Sequence, residues 1–402
     1  MSAEIPWQEI HSLVNNLAKS FDEKWRKRQR KIGTSFLIMF LMRINFSRAQ
    51  SGYQIIIDEI WESMRINGID LPQDKPFAAS SVCEARKNLD PLFIHEINRE
   101  IADSFLGLNQ DQFRWNGFRL FIVDGSTVHL PPELKSEGFG QMNPGMHYPQ
   151  GKISVLMHAG TGIAVDLILD KKGNERELAN KHLSSLIADE DVVVYDRGYF
   201  SYELALTHIQ HGIGAIFRMP LSGGMKQIQE FIDNKEKPKE EIVSITLTKE
   251  QRATIRRRNR NLEFATIELR LIRYFIGEQE YVLATTILDP EIGRQDFEEV
   301  YNERWGVEEH YKSFKLLLTL EKFHSKSLQG VLQEVYASEL MLTLSKIVAV
   351  ETQQLLAISQ ESQKKMRTLL GQFVVQIYSR LKSKKAVISK VRTPRKRKIS
   401  PM

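Results

Sequence analysis

Cysteine is almost absent from this chain of 402 residues, Cys83 being the only one. That excludes a disulfide framework and a structural zinc site built on several thiolates. Long apolar runs are missing as well. The longest is FLIMFLM at 36–42, stopped by Arg43, where a spanning helix needs roughly 20 such residues. No membrane association is expected. The start MSAEIPWQEI has no basic segment followed by an apolar one, so no signal peptide is predicted and a reducing, cytoplasmic compartment is implied. No H-E-x-x-H occurs, although His208 and His211 share one helical stretch. A zinc hydrolase therefore fits poorly, and surface positions suit that pair better. No G-x-S-x-G occurs either, which argues against a serine hydrolase of that type. Acid is missing from 380–398, a stretch that holds ten Lys or Arg.

That stretch dominates the charge. The whole chain is +6, and without those ten cations it is −4. Basicity so concentrated is what a polyanion-binding arm carries. Two further clusters, KWRKRQRK at 24–31 and RATIRRRNR at 252–260, point the same way. Each alone reads as a solvated face. Together they favour nucleic acid, because every phosphate contact releases counterions. With 42% apolar and 26% charged residues the chain is globular rather than disordered, and its length allows two or three domains.

Residues 1–110 carry apolar side chains at helical spacing and predict a small helical domain, with Ser81 and Glu84 fitting a capping box. Patterning changes at Phe118. RLFIVDGSTVHL (119–130) reads as a strand, 151–170 as a hairpin around Gly160–Gly162, 175–188 as a helix and DVVVY (191–195) as a buried strand. SYELALTHIQ (201–210) reads as a helix and GAIFR (214–218) as a strand. This order predicts an α/β core with a mixed sheet over 111–322. About 221–280 reads as a β-rich insertion into it. Helices are expected at 294–320, 328–358 and 361–383, then a basic tail at 384–402.

Three acids stand out. Asp124 follows the buried run FIV and precedes Gly125. Asp196 follows VVVY and precedes Arg197-Gly198. An acid directly after a buried strand is costly unless it is paired or ligates a metal, although Asp also serves simply to cap turns. Converging carboxylates are what hard divalent cations need for phosphoryl transfer. The third acid is on a helix. Tyr301, Arg304, Glu308 and Lys315 fall within about 60° of arc at ~100° per residue. Glu309 points about 100° away from Glu308. Such a face reads equally as a stripe of ion pairs or as a site.

These residues resemble bacterial DDE transposases of insertion-sequence family four. Their signature, Y-x2-R-x3-E-x6-K, is matched at every spacing by Tyr301, Arg304, Glu308 and Lys315. Trp305 suits it too, and DGS at 124–126 and DRGYFS at 196–201 look like the two aspartate motifs. The resemblance covers about 118–322. It implies an RNase H-like core, with Asp124, Asp196 and Glu308 as catalytic ligands of two Mg²⁺ ions that Mn²⁺ can replace. It further implies cut-and-paste transposition: hydrolysis at the element ends frees a 3′-OH, which then attacks target DNA. Tyr301, Arg304 and Lys315 would grip phosphates. Arg197 would assist or stay in a core salt bridge, and Arg256, Arg257 and Arg258 would meet DNA from the insertion.

The implied partners are terminal inverted repeats, bound in part by the helices of 1–110, target DNA, and a second protomer in the DNA complex. The region 323–383 would either pair protomers or fold back on its own core. Tyr274, Phe275 or Tyr281 could stack on an extruded base, though strand packing suits each better. Two rivals stay open: a two-metal nuclease that cuts without joining, and a DNA-binding relic. Nucleoid association follows from the DNA readings.

Overall fold

The computed structural model describes residues 14–19, 22–23, 31–46, 52–108, 113–140, 147–171, 173–223, 225–260, 262–303 and 323–356. Its strands are β1 (Arg114–Trp115), β2 (Phe118–His129), β3 (Gln150–His158), β4 (Ala164–Asp170), β5 (Asp191–Tyr195), β6 (Gly214–Arg218), β7 (Glu240–Ile245), β8 (Ile267–Ile276) and β9 (Gln279–Thr285). All nine join one mixed sheet ordered β4-β3-β2-β5-β6-β9-β8-β7, with β1 paired to β2. The helices are α1 (Thr34–Phe46), α2 (Tyr53–Ile66), α3 (Ala79–Arg86), α4 (Pro91–Leu108), α5 (Glu175–His182), α6 (Tyr202–Gln210), α7 (Lys226–Asp233), α8 (Lys249–Arg258), α9 (Arg294–Glu303) and α10 (Leu328–Leu356). Among the described residues no helix is long and apolar enough to cross a membrane.

The centre of the sheet explains its own sequence. All five residues of β5 are buried, as a parallel strand covered on both faces requires. Side chains alternate between two cores. Ile122, Val194 and Ile216 enter one with the N-terminal helices, α9 and α10. Phe121, Val123, Val193 and Tyr195 enter the other with α5, α6 and α7. Strand β2 begins from a two-residue hairpin whose Asn116 and Gly117 both have positive φ, the conformation an Asn-Gly turn of this type favours.

Strand β2, Phe118–His129, matches the strand read at 119–130, and β3 pairs it along that length, Asp124 with Val155 and Gly125 with Ser154. Several expectations need correcting. The capping box at Ser81 is absent. Helix α3 starts two residues earlier, and the Ala79 amide donates instead to Gln54 Oε1 of α2 at 3.0 Å. The stretch at about 221–280 holds α7 and α8 besides β7 and β8, and those strands extend the core sheet through β9. Phe275 is 51% exposed under Lys237, whereas Tyr274 is buried and stacked on Tyr281. His208 is buried, with Tyr195 Oη 2.8 Å from its Nε2, and burial lowers its pKa to about 4. His211 alone of that pair is exposed.

In place of a self-contained core for 1–110, helices α1–α4 pack with α10 over one sheet face. Val331, Val335, Ala337 and Leu340 of α10 are wholly buried there. These residues of α10 therefore serve the chain's own interior. Leu340→Ala is expected to lower the unfolding free energy by about 2–5 kcal/mol through the cavity it leaves, measured by urea denaturation. The helical stretch 361–383 and the basic tail 384–402 lie outside the described residues.

A buried chain of hydrogen bonds ties β3, β4 and α5 together. Ser154 Oγ is 2.9 Å from His182 Nε2, and His182 Nδ1 is 2.7 Å from Asp166 Oδ2. Asp166 also meets His95 Nε2 of α4 at 2.9 Å. Burial alone would raise its pKa, but hydrogen bonds from His182 and His95 outweigh that and hold the carboxyl well below the usual range. Hydroxyl, imidazole and carboxylate stand here in the order of a hydrolase triad. Ser154 is 1% exposed, however, so no substrate reaches it and the chain acts as a polar tie between layers.

Candidate functional site

The two aspartates come together through strand register. Strands β2 and β5 run parallel, with Arg119 beside Asp191 and Ile122 beside Val194. The same offset two residues on sets Asp124 level with Asp196, just past the last β5 pair. One strand further, Tyr195 pairs with Phe217, so the next level sets Asp196 beside Arg218. The Arg218 guanidinium is 3.5 Å from Asp196 Oδ1 and lies over the Tyr281 ring at 4.9 Å. Asp124 within β2, Asp196 just past β5 and Arg218 at the end of β6 thus stand at one level across three neighbouring parallel strands, beside the carboxyl ends of β5 and β6, where open α/β sheets bind ligands. Each follows a buried apolar run that forces its strand inward and releases a polar residue at the rim.

Both aspartates are partly buried. The Gly125 amide donates to Asp124 Oδ1 at 2.8 Å. Buried Tyr199 lies near enough to feel both acids. Burial first, then the charges of Asp124, Glu175 and Asp196, push its phenol pKa up, so it remains a neutral hydroxyl beside them. Asp124 and Asp196 share the strand parity of Ile122 and Val194. The core those two residues enter also holds Phe297 and Val300 of α9, so the helix carrying the start of the Tyr-Arg-Glu-Lys segment packs on the face that parity assigns to the acids.

Tyr301 falls in the last turn of α9. Its side chain, and Arg304, Glu308 and Lys315 entirely, lie outside the described residues. Arg197 is exposed in the turn after Asp196. Arg256 and Arg257 are exposed on α8, Arg256 over the Phe264 ring at 5.4 Å, and Arg258 belongs to the same helix. This helix joins β7 to β8, strands that lie beyond β6 and β9 from β5 in the sheet order.

The donor chemistry suits a hard divalent cation: two carboxylates level with one another across adjacent strands, with oxygen ligands only. Among the described residues no group of three His, Cys, Asp or Glu forms a metal site, so a three-acid set would need Glu308 from beyond them. Arg218 was not singled out in the sequence. Its signal is a third use of one pattern, since AIF-Arg218 repeats FIV-Asp124 and VVVY-Asp196. Glu175 and Lys152 were also missed, because their ion pair depends on tertiary packing.

InsZ of Escherichia coli (strain K12), which carries a transposase name, is 27% identical over 150 residues, covering 36% of this chain. The chain matches about half the length of that curated relative, 50%. A cryo-EM structure of the piggyBac transposase synaptic complex with hairpin DNA covers 97% of this chain and 80% of its own at 12% identity. Its TM-score is 0.38, and at that level the likeness carries no argument. A model of the transposase DDE domain matches residues 115–344, more than half of the sequence and all of the sheet from β2 onward. The chain belongs to the transposase DDE domain family.

Proposed function

We propose that the chain is a cut-and-paste DNA transposase of the insertion-sequence family four type, with Asp124, Asp196 and Glu308 as its catalytic carboxylates. The observation that carries this reading is the equal register of Asp124, within β2, and Asp196, just past the end of the adjacent parallel strand β5, on the sheet face that receives α9. The order β4-β3-β2-β5-β6, three antiparallel strands followed by two parallel ones, supports an RNase H-like core. Asp124, Asp196 and Glu308 would hold Mg²⁺, or Mn²⁺ in its place. Two such ions supply an activated water nucleophile and neutralise charge on the leaving oxygen.

The protein's own groups do the rest. Asp124 and Asp196 would hold the cations, and the neutral Tyr199 hydroxyl adds no charge to compete with them. Arg218, held by Tyr281, faces the side of the cluster where a phosphate's non-bridging oxygens need a counter-charge. Tyr301, Arg304 and Lys315 hold the DNA backbone in register, with Arg197 at the rim. In the first step the oxygen of water bonds to phosphorus at the element end and the bond to the 3′ oxygen breaks. This leaves a 3′-OH and a 5′-phosphate. In the second, that 3′ oxygen bonds to a target phosphorus and displaces the target's own 3′ oxygen. Arg256, Arg257 and Arg258 would contact DNA flanking the cut. The helices of 1–110 would read the terminal repeats, and two protomers would hold the paired ends.

The test is a plasmid carrying the gene's own flanking ends, incubated with purified protein and Mg²⁺. Release of the element with free 3′ ends is expected. Nicking without end-specific release would turn the reading to a nuclease that does not join, and binding without cleavage to a DNA-binding relic. Deleting 384–402 is expected to weaken DNA binding and flatten its salt dependence by about 0.9 in log–log slope for each phosphate the tail no longer neutralises. Affinities taken at several salt concentrations check this, and an unchanged slope would remove the tail from the interface.

A further inference from the structure

Arginines lie over aromatic rings at several places in the fold, and one pair differs from the rest. Arg119, Arg218, Arg270 and Arg273 each also meet a carboxylate, those of Asp191, Asp196, Glu240 and Glu280. Arg252 and Arg256 of α8 share the Phe264 ring, their guanidinium carbons 5.9 and 5.4 Å from its centre. Among the described residues neither has an ion pair. The ring itself is fixed from the core side. Phe264 stacks on Tyr202 of α6 with ring centres 6.3 Å apart, and the Ala265 amide donates to Tyr202 Oη at 3.0 Å. Ile255, between the two arginines, is buried in the core that Phe264 packs against. Thr248 and Gln251 close a capping box at the start of α8. Helix and ring are thus anchored without the two guanidiniums.

Arg252 and Arg256 stand one turn apart on one helix face, where like charges repel. The attraction of each guanidinium to the ring, about 0.5–1 kcal/mol at an exposed site, offsets that repulsion. Arg252 Nε is shielded from solvent and makes no hydrogen bond, so the ring rather than a polar partner sets its direction. The surroundings keep the charge positive. From Lys249 to Phe264 there are six cations and two acids, and both acids, Glu250 and Glu263, are exposed, as is Arg257. Guanidinium forks with no carboxylate to satisfy them match phosphate oxygens bidentately. A ring that pre-sets their direction lowers the side-chain entropy lost on binding.

We propose that Phe264 is a positioning residue that presents Arg252 and Arg256 as a two-pronged clamp on neighbouring phosphates of bound DNA. The inference rests on the transposase reading above for its ligand, and it adds Arg252 and Phe264 to the arginines of α8 named there. Phe264 acts through the guanidiniums and not on a base, and that distinction fixes the order of effects in the test.

The full chain is bound to a labelled duplex carrying the gene's own flanking end, in Ca²⁺ and at several salt concentrations. Arg252→Gln and Arg256→Gln should each flatten the log–log salt slope by about 0.9, which is about 8-fold in affinity near ~0.1 M salt. Phe264→Leu keeps both charges yet should weaken binding about 5-fold, the size of two lost contacts between a guanidinium and a ring. Phe264→Tyr keeps the ring and should bind like the wild type. In the Arg252→Gln/Arg256→Gln background Phe264→Leu should change affinity by less than about 2-fold, because the groups it positions are gone. A full effect of Phe264→Leu in that background would overturn the proposal and make the ring a structural or base-contacting group. Unchanged salt slopes in both arginine variants, with salt-dependent binding by the wild type, would overturn the proposal alone. A wild type that shows no salt-dependent binding to the duplex would overturn the DNA reading and the proposal with it.

Discussion

Asp124→Asn and Asp196→Asn are each expected to abolish strand cleavage while leaving DNA affinity within about 2-fold of wild type. The two carboxylates stand level, Asp124 within β2 and Asp196 just past β5. Glu175, a further carboxylate nearby, is engaged by Lys152 and cannot replace a lost anionic ligand. The loss should exceed the 10–100-fold usual for residues behind the ligands, because a direct ligand would be gone. Affinity should hold, since most of the DNA-binding free energy comes from cations on phosphates, and losing an anion does not reduce those. Cleavage of a labelled element end, followed on a denaturing gel with binding measured in Ca²⁺, checks both halves. Mg²⁺-dependent cutting by either variant would remove that residue from the site.

The second large effect is on stability. Glu334 of α10 is 1% exposed and accepts three hydrogen bonds, from Arg86 Nη2 at 2.6 Å and the amides of His324 and Ser325 at 2.8 and 3.0 Å. Arg86 in turn reaches Gln333 Oε1, the Gly330 carbonyl and Tyr53 Oη. This cluster binds α3 and α2 to α10 and fixes the chain where it emerges from the signature segment. Glu334→Ala leaves the Arg86 guanidinium buried without its counter-charge, and about 3–5 kcal/mol of stability should be lost. Urea denaturation measures it, and a loss below about 1 kcal/mol would show that the cluster relaxes. The pH dependence has a definite sign. Burial would raise the Glu334 pKa, but hydrogen bonding to His324 and the charge of Arg86 outweigh it and hold the carboxyl below its ordinary range. Its contribution is therefore complete above the ordinary carboxyl pKa of about 4.3 and is lost as pH falls further. In Glu334→Gln the acid side of the stability profile should be shallower.

How much was legible depends on the distance over which each feature is decided. The run VVVY-Asp196 shows a buried strand and its rim acid together, because burial on both faces removes alternation. FIV-Asp124 does the same, and the strand's continuation past the acid was legible as well, from RLFIVDGSTVHL to His129. Pairing of β7–β9 with the core sheet was hidden, since strand alternation names a strand without naming its neighbour. Phe275 and Tyr274 are adjacent and similar in type, and only the register of β8 decides which one is buried. Arg218 carried a local signal that repeats the two aspartates. Lys152 and Glu175 carried none, because they meet through the packing of α5 on β3.

The central claim is that Asp124 and Asp196 hold a divalent cation. Crystals of the full chain grown with Mn²⁺, with data collected at the manganese absorption edge, test it most directly. An anomalous peak within about 2.0–2.6 Å of carboxylate oxygens of both residues is predicted, as hard-cation coordination requires. Peaks confined to other acids, with Asp124 and Asp196 bare at saturating Mn²⁺, would contradict it.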